Sequence, residues 1–256
     1  MTLTEALISG LVQGLTEFLP ISSSGHLVLV HRLFGFSEPS MFFDICLHAA
    51  TLLAVVIYFA GDILQLARQR RWEYLFYVLA ATVPAVITAL FFEERISEFF
   101  VSPAKVAVML VATGIVLLLG QFFLWKNDGA GRKAGLFNTF AVGVAQAIAL
   151  LPGISRSGVT ISAGLAGGMK TEEAFRFSFL LSIPVIIGAT LYKGLTVDLR
   201  GALAGNVPEY IAGMAAAFLA GFFSLHLLRK VIKGKKLFLF AAYCLLLGMT
   251  GIFFWK

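Results

Sequence analysis

Apolar residues run along most of this chain in long blocks separated by short polar turns. A helix that crosses a bilayer needs roughly 20 such residues. Six blocks qualify, at about 41–60, 73–92, 103–125, 172–194, 208–228 and 236–255. Two more apolar stretches, 3–35 and 135–168, are interrupted near their middles, at Pro20 to Gly25 and at Pro152 to Gly158. Each half is too short to cross. The pattern predicts two re-entrant helical hairpins whose tips stop at membrane depth and line a cavity, where irregular backbone is tolerated.

The two broken stretches match each other. Gln13 and Gln146 stand 133 positions apart, and the same offset pairs Ser22 with Ser155, Ser24 with Ser157 and Gly25 with Gly158. Arg156 then falls opposite Ser23. Each hairpin is followed by three candidate spans, so an internal duplication is expected: one membrane domain over 1–256, with repeat one about 1–125 and repeat two about 134–256. A hairpin returns to its own side and three spans then cross, so the second copy starts on the opposite side. The expected fold is an all-α polytopic membrane protein with an inverted-topology repeat. Each half is a re-entrant hairpin plus three transmembrane helices.

Composition agrees with the pattern. Hydrophobic residues make up 59% and charged residues 13%, with a mean hydropathy of +0.90, more apolar surface than a soluble domain of this size can hide. The net charge of +6 does not point to nucleic acid, because the basic residues lie in short loops between apolar blocks, where topology accounts for them. Cys46 and Cys244 both fall in apolar segments and suggest neither a disulfide scaffold nor a zinc site. No basic region or small-residue cleavage site marks a removable leader, so the first segment is expected to stay.

Loop charge orients the chain. One set of loops carries Arg68, Arg70, Arg71, Lys126, Arg132, Lys133, Lys170, Arg229, Lys230, Lys233, Lys235 and Lys236. The other carries Arg32, Arg95, Lys105, Lys193, Arg200 and Lys256, with Glu93, Glu94 and Glu98 among them. The first set is cytoplasmic by the positive-inside rule. Both termini and the mouth of the first hairpin then face outward, and the two tips meet near the midplane.

Chemistry concentrates in two polar islands, QGLTEFLPISSSGH from Gln13 and LPGISRSGVT from Leu151. A guanidinium at membrane depth costs at least ~2.5–3.5 kcal/mol, so Arg156 needs an anionic partner or a wet cavity. Gly153 and Gly158 let backbone approach a ligand. Ser155, Ser157 and Thr160 add hydroxyls at a half-helix N-terminus, which favours an anion. Together they describe a phosphate cradle, though an ion pair between Arg156 and Glu17 would also hold the hairpins together. Glu17 and Gln13 share a helical face, and a divalent ion bridging them to phosphate oxygens would satisfy a buried carboxylate. His26, three residues after Ser23, can take a proton from a serine or a water, or attack phosphorus itself. Asp44 and His48 also share a helical face and fit either a second layer or a satisfied pair. His31 and His226 lack such company.

QGLTEFLPISSSGHL and LPGISRSGVT resemble the two signature motifs of the undecaprenyl pyrophosphate phosphatase family, the bacitracin-resistance type. Gln13 and Glu17 match its (Glu/Gln)-x-x-x-Glu pattern, Ser22 to His26 its Ser-Ser-x-Gly-His run, and the second island its Pro-Gly-x-Ser-Arg-Ser-Gly-x-Thr. FDICLHAATLLAVVIYF from Phe43 is similar to its following helix. The family's usual Arg after a Tyr in the last helix is absent, since Cys244 follows Tyr243.

The resemblance implies hydrolysis of the C55 isoprenoid pyrophosphate to its monophosphate at the outer face of the bacterial cytoplasmic membrane, which recycles the lipid carrier for cell-wall polymers. It implies dependence on a divalent cation such as Mg²⁺ or Ca²⁺, and it carries Glu17, Ser23, His26, Ser155, Arg156 and Thr160 over as functional residues. With the islands read as above, the expected catalytic set is Glu17, Ser23, His26 and Arg156. Ser22, Ser24, Gly25, Gly153, Ser155, Ser157 and Thr160 are expected to bind phosphate, and Glu17 and Gln13 the metal. Ser23 with His26 as base, His26 alone and water all remain open as attackers.

Other classes fit part of the pattern. Inverted repeats around a midplane anion site also build secondary transporters, so a polyprenyl-phosphate flippase is the alternative, and a small-anion channel is the third. The spacing of Gly164 and Gly168 permits close helix packing, within the chain or across a homodimer.

Overall fold

The computed structural model describes residues 1–36, 41–126, 131, 133–195 and 207–255. Arg132, Arg200 and Lys256, placed in loops by the charge reading, lie outside them. The described residues form helices without strands: α1 (Leu3–Phe18), α2 (Ser23–Phe34), α3 (Met41–Tyr58), α4 (Ala60–Arg68), α5 (Trp72–Phe100) and α6 (Pro103–Lys126). These are followed by α7 (Leu136–Ile148), α8 (Arg156–Ala166), α9 (Thr171–Gly194), α10 (Val207–Lys233) and α11 (Phe238–Phe254).

Four of these helices, α5, α6, α9 and α10, are long and apolar enough to cross a membrane. A fifth span results if α3 and α4, bent by 60° at Phe59, are counted together. The sixth expected span differs. It begins only at Phe238, after a turn in which Lys235 has φ +53°, and its 17 residues stand at the lower end of spanning length. Inside α5 the helix breaks at Phe92 (φ −123°, ψ 16°), where the apolar block ends and Glu93 and Glu94 begin. Phe91, Phe137, Phe140 and Phe253 project from the outer surface, each more than half exposed, as lipid-facing side chains do. The protein is a multi-span membrane protein.

Small residues bring the helices together. Glycines permit close backbone approach where lipid supplies little hydrophobic drive between helices. A Cβ on Gly10 of α1 would stand 2.2 Å from the Gly213 carbonyl oxygen in α10, and one on Gly14 2.4 Å from that of Ala217. Ser224 in α10 then donates to the Gly14 carbonyl at 3.0 Å. Gly248 of α11 sits against the Ala107 carbonyl in α6, and Gly143 of α7 against Ala81 in α5. Gly164 packs on Ala174 and Met169 of its own chain. At the centre Phe18, Phe59, Phe175 and Phe179 form an aromatic cluster below the break that follows α1.

Both interrupted stretches fold as helix pairs, α1 with α2 and α7 with α8. Pro20 and Pro152 fall in the breaks, where a residue without an N–H does least harm. Ser22 and Ser155 are the N-caps of α2 and α8, their hydroxyls accepting from Gly25 N and Gly158 N. The two breaks touch. Gly153 N donates to Ser22 Oγ at 3.1 Å, and Ser157 Oγ donates to the Leu19 carbonyl at 3.3 Å.

Candidate active site

Ser22 is held at φ +70°, ψ +101°, a conformation that side-chain-bearing residues rarely adopt. Its hydroxyl accepts from two buried amides, Gly25 N and Gly153 N, which holds the turn despite the strain. Across the contact Gly153 has φ +96°, and Gly25 approaches so closely that a Cβ there would stand 3.0 Å from the Gly153 Cα. These two glycines serve tip-to-tip contact. Thr113 of α6 fastens the second tip by donating to the Gly153 carbonyl at 2.7 Å and accepting from Ser155 N at 3.0 Å.

This docking aligns the charged side chains. Arg156 Nη2 lies 2.6 Å from Glu17 Oε1, with side chains 15% and 7% exposed respectively. Glu17 Oε2 accepts from Ser23 Oγ at 2.5 Å and from Gln13 Nε2 at 3.1 Å. Glu17 thus gathers one residue from its own helix, one from the first tip and one from the second. Arg156 Nη1 is buried without a protein partner, as is Gln13 Oε1.

The cluster opens on a cavity of about 760 Å³. Glu17, Ser22, Ser23, Ser24, Ser155 and Arg156 form its polar end, and Leu27, Ile45, Phe100, Val101, Leu150 and Ile186 are among its apolar walls. His31, Arg32, Asp44 and His48 also line it. Asp44 and His48 meet through backbone, His48 Nδ1 donating to the Asp44 carbonyl at 2.8 Å. His226 stands elsewhere, exposed, on the Phe222 carbonyl.

Other expected site residues lie behind this surface. Gln13, Gly25, Gly153, Ser157 and Thr160 support it from within: Thr160 donates to the Arg156 carbonyl and meets Ser178 Oγ, both at 2.6 Å. His26 is not brought to Ser23. Its Nδ1 donates to the Ser22 carbonyl at 2.7 Å, which leaves Nε2 to accept from the Tyr243 hydroxyl at 2.7 Å, and the two rings stack. Thr113 escaped the sequence reading, and Tyr243 entered it only as the residue before Cys244, not as a partner of His26. Thr113 is a lone hydroxyl in an apolar span, a weak signal, and Tyr243 reaches His26 across 217 positions. Cys244 is buried, its thiol 3.7 Å from the Pro20 carbonyl oxygen, so it packs against the first break.

Among the described residues no three His, Cys, Asp or Glu gather as a metal cage. The oxygen donors of Glu17 and Ser23 line the cavity and suit a hard cation, with the unpartnered Oε1 of Gln13 buried behind them. Mg²⁺ in particular binds through one or two carboxylates and completes its shell with substrate phosphates and water. The residues fit an ion that enters with a phosphate ligand.

A profile of the family described as bacitracin resistance protein BacA matches residues 6–250. The chain belongs to the BacA family. It is 42% identical to the undecaprenyl-diphosphatase of Syntrophotalea carbinolica over 99% of this chain and 98% of that one. It is 39% identical to the undecaprenyl-diphosphatase of Moorella thermoacetica, over 97% and 96%. Undecaprenyl-diphosphatase 1 of Shouchella clausii is 35% identical, over 99% and 97%. These similarities cover both breaks and every helix of the BacA-family chain.

Proposed function

We propose that this protein hydrolyses undecaprenyl pyrophosphate to undecaprenyl phosphate and inorganic phosphate, recycling the lipid carrier for cell-wall synthesis and conferring bacitracin resistance. One observation carries this reading. Ser23, Glu17 and Arg156 converge at the polar end of a cavity whose walls are apolar, which suits a substrate with a charged head and a greasy tail. The names of the relatives agree with it.

The lipid tail lies among apolar walls and the pyrophosphate meets Arg156, whose free Nη1 takes a phosphoryl oxygen where charge is concentrated. Ser23 Oγ attacks the terminal phosphorus as the bond to the bridging oxygen breaks and the isoprenyl phosphate leaves. The Ser23 proton passes to Glu17 Oε2, 2.5 Å away. Water then attacks the phosphoserine and the Ser23–phosphorus bond breaks; Glu17 returns its proton to Ser23 Oγ, and the water's proton leaves with the released phosphate. His26 holds the Ser22 carbonyl and so the turn that presents Ser23. Glu17, Gln13 and Ser23 would hold a divalent cation, Mg²⁺ or Ca²⁺, which supplies charge neutralisation when bound.

The topology belongs to the same reading. α1 packs on α10 as α7 packs on α5, and α3 on α9 and α6 on α11 bridge the two halves. Those pairings support two inverted repeats of a re-entrant hairpin and three spans, about 1–125 and 134–256. Loop charge supports termini and cavity mouth on the outer side of the cytoplasmic membrane.

Purified protein incubated with the C55 pyrophosphate is expected to release inorganic phosphate, and Ser23→Ala to lose at least about a hundredfold of that rate. Transport of the lipid without phosphate release would establish the flippase instead. Full activity in Ser23→Ala would make water the attacker.

A further inference from the structure

The internal duplication leaves one side chain without an internal purpose. Gln13 and Gln146 occupy matching positions in the two repeats and are 0% and 1% exposed. Gln13 spends its amide nitrogen on Glu17, one turn later. The residue that matches Glu17 in the second copy is Leu150, which offers no acceptor. Both the nitrogen and the oxygen of the Gln146 carboxamide are buried with no hydrogen-bond partner. Buried polar groups in folded proteins are nearly always bonded, so an orphaned amide calls for a partner from outside the chain. Gln146 and Leu150 line the same cavity as Glu17 and Arg156, so a ligand there can reach the amide.

We infer that Gln146 binds the substrate's second phosphate, the one that is not attacked, and thereby helps the site prefer a pyrophosphate to a monophosphate. This rests on the hydrolase reading above. Ser23, Glu17 and Arg156 are committed to the attacked phosphoryl group. Gln146 enters from the same hairpin as Arg156, opposite the one that carries Glu17 and Ser23, and donates an N–H from Nε2 without adding charge. A monophosphate held by Arg156 leaves this donor unused, whereas a pyrophosphate engages both Arg156 and the Gln146 N–H.

The test is Gln146→Leu, purified in detergent beside the wild type. An apolar side chain of similar size removes two unsatisfied polar atoms, so the thermal midpoint is expected to stay level or rise. kcat/KM for the C55 pyrophosphate should fall about tenfold, the worth of one hydrogen bond to a charged group, chiefly through KM. Inhibition by inorganic phosphate should not change. A lowered midpoint with kcat/KM retained would make Gln146 a structural amide and overturn the inference, as would an unchanged kcat/KM at an unchanged midpoint. If the wild type releases no phosphate, the hydrolase reading fails, and the contact is read from thermal stabilisation by the same lipid. A shift in the wild type that Gln146→Leu lacks supports it, and equal shifts sink it.

Discussion

Ser22 shows how one residue couples the two halves of the molecule. It accepts the φ of a glycine yet is not one, because its hydroxyl caps α2 and receives the Gly153 amide. Ser22→Ala should therefore cost roughly 1–3 kcal/mol for the orphaned N–H groups, read as a lower thermal midpoint, and should slow turnover because Ser23 is the next residue. An unchanged midpoint would mean that the tips are held without it. Glu17, Ser23 and Arg156 were legible in the sequence, since charge and hydroxyls stand out against an apolar chain and fall within the two islands whose serines and glycines repeat at matched spacing. Which hydroxyl does what was not legible. Ser155 and Ser157 bond to protein, and Ser23 turns to Glu17 instead of to His26, because the docking of two distant turns decides these partners.

At the scale of elements, apolar block length located all six expected spans as helices, with α5 and α10 running past their blocks to Phe100 and Lys233 and the sixth falling at the short end of spanning length. The 60° bend between α3 and α4 was invisible, because no proline marks it. Glycine spacing hinted at close packing without naming partners, which depend on contacts about 200 positions apart. Gly10→Val makes this concrete. Its Cβ would sit 2.2 Å from a backbone oxygen of α10, which no side-chain movement relieves, so little folded protein should be recovered from membranes. Normal yield and midpoint would show that α1 and α10 pack less closely.

At the scale of the whole molecule, loop charge and helix pairing together predict which ends face outward. In a Cys46→Ala background, Ser97→Cys should react with a membrane-impermeant maleimide in intact spheroplasts, and Gln69→Cys only after lysis. Both positions are exposed, so accessibility to the reagent reports sidedness, and the reverse pattern would invert the topology. In that proposed topology Arg156 would enter from one side of the membrane and Glu17 from the other, to form the ion pair seen between them. The most direct measurement is phosphate release from the C55 pyrophosphate by wild type and Arg156→Ala, with and without Mg²⁺ or Ca²⁺. Metal-stimulated release that falls at least about a hundredfold in a folded Arg156→Ala is the predicted result. Release at the wild-type rate in that variant would contradict a site built between the two turns.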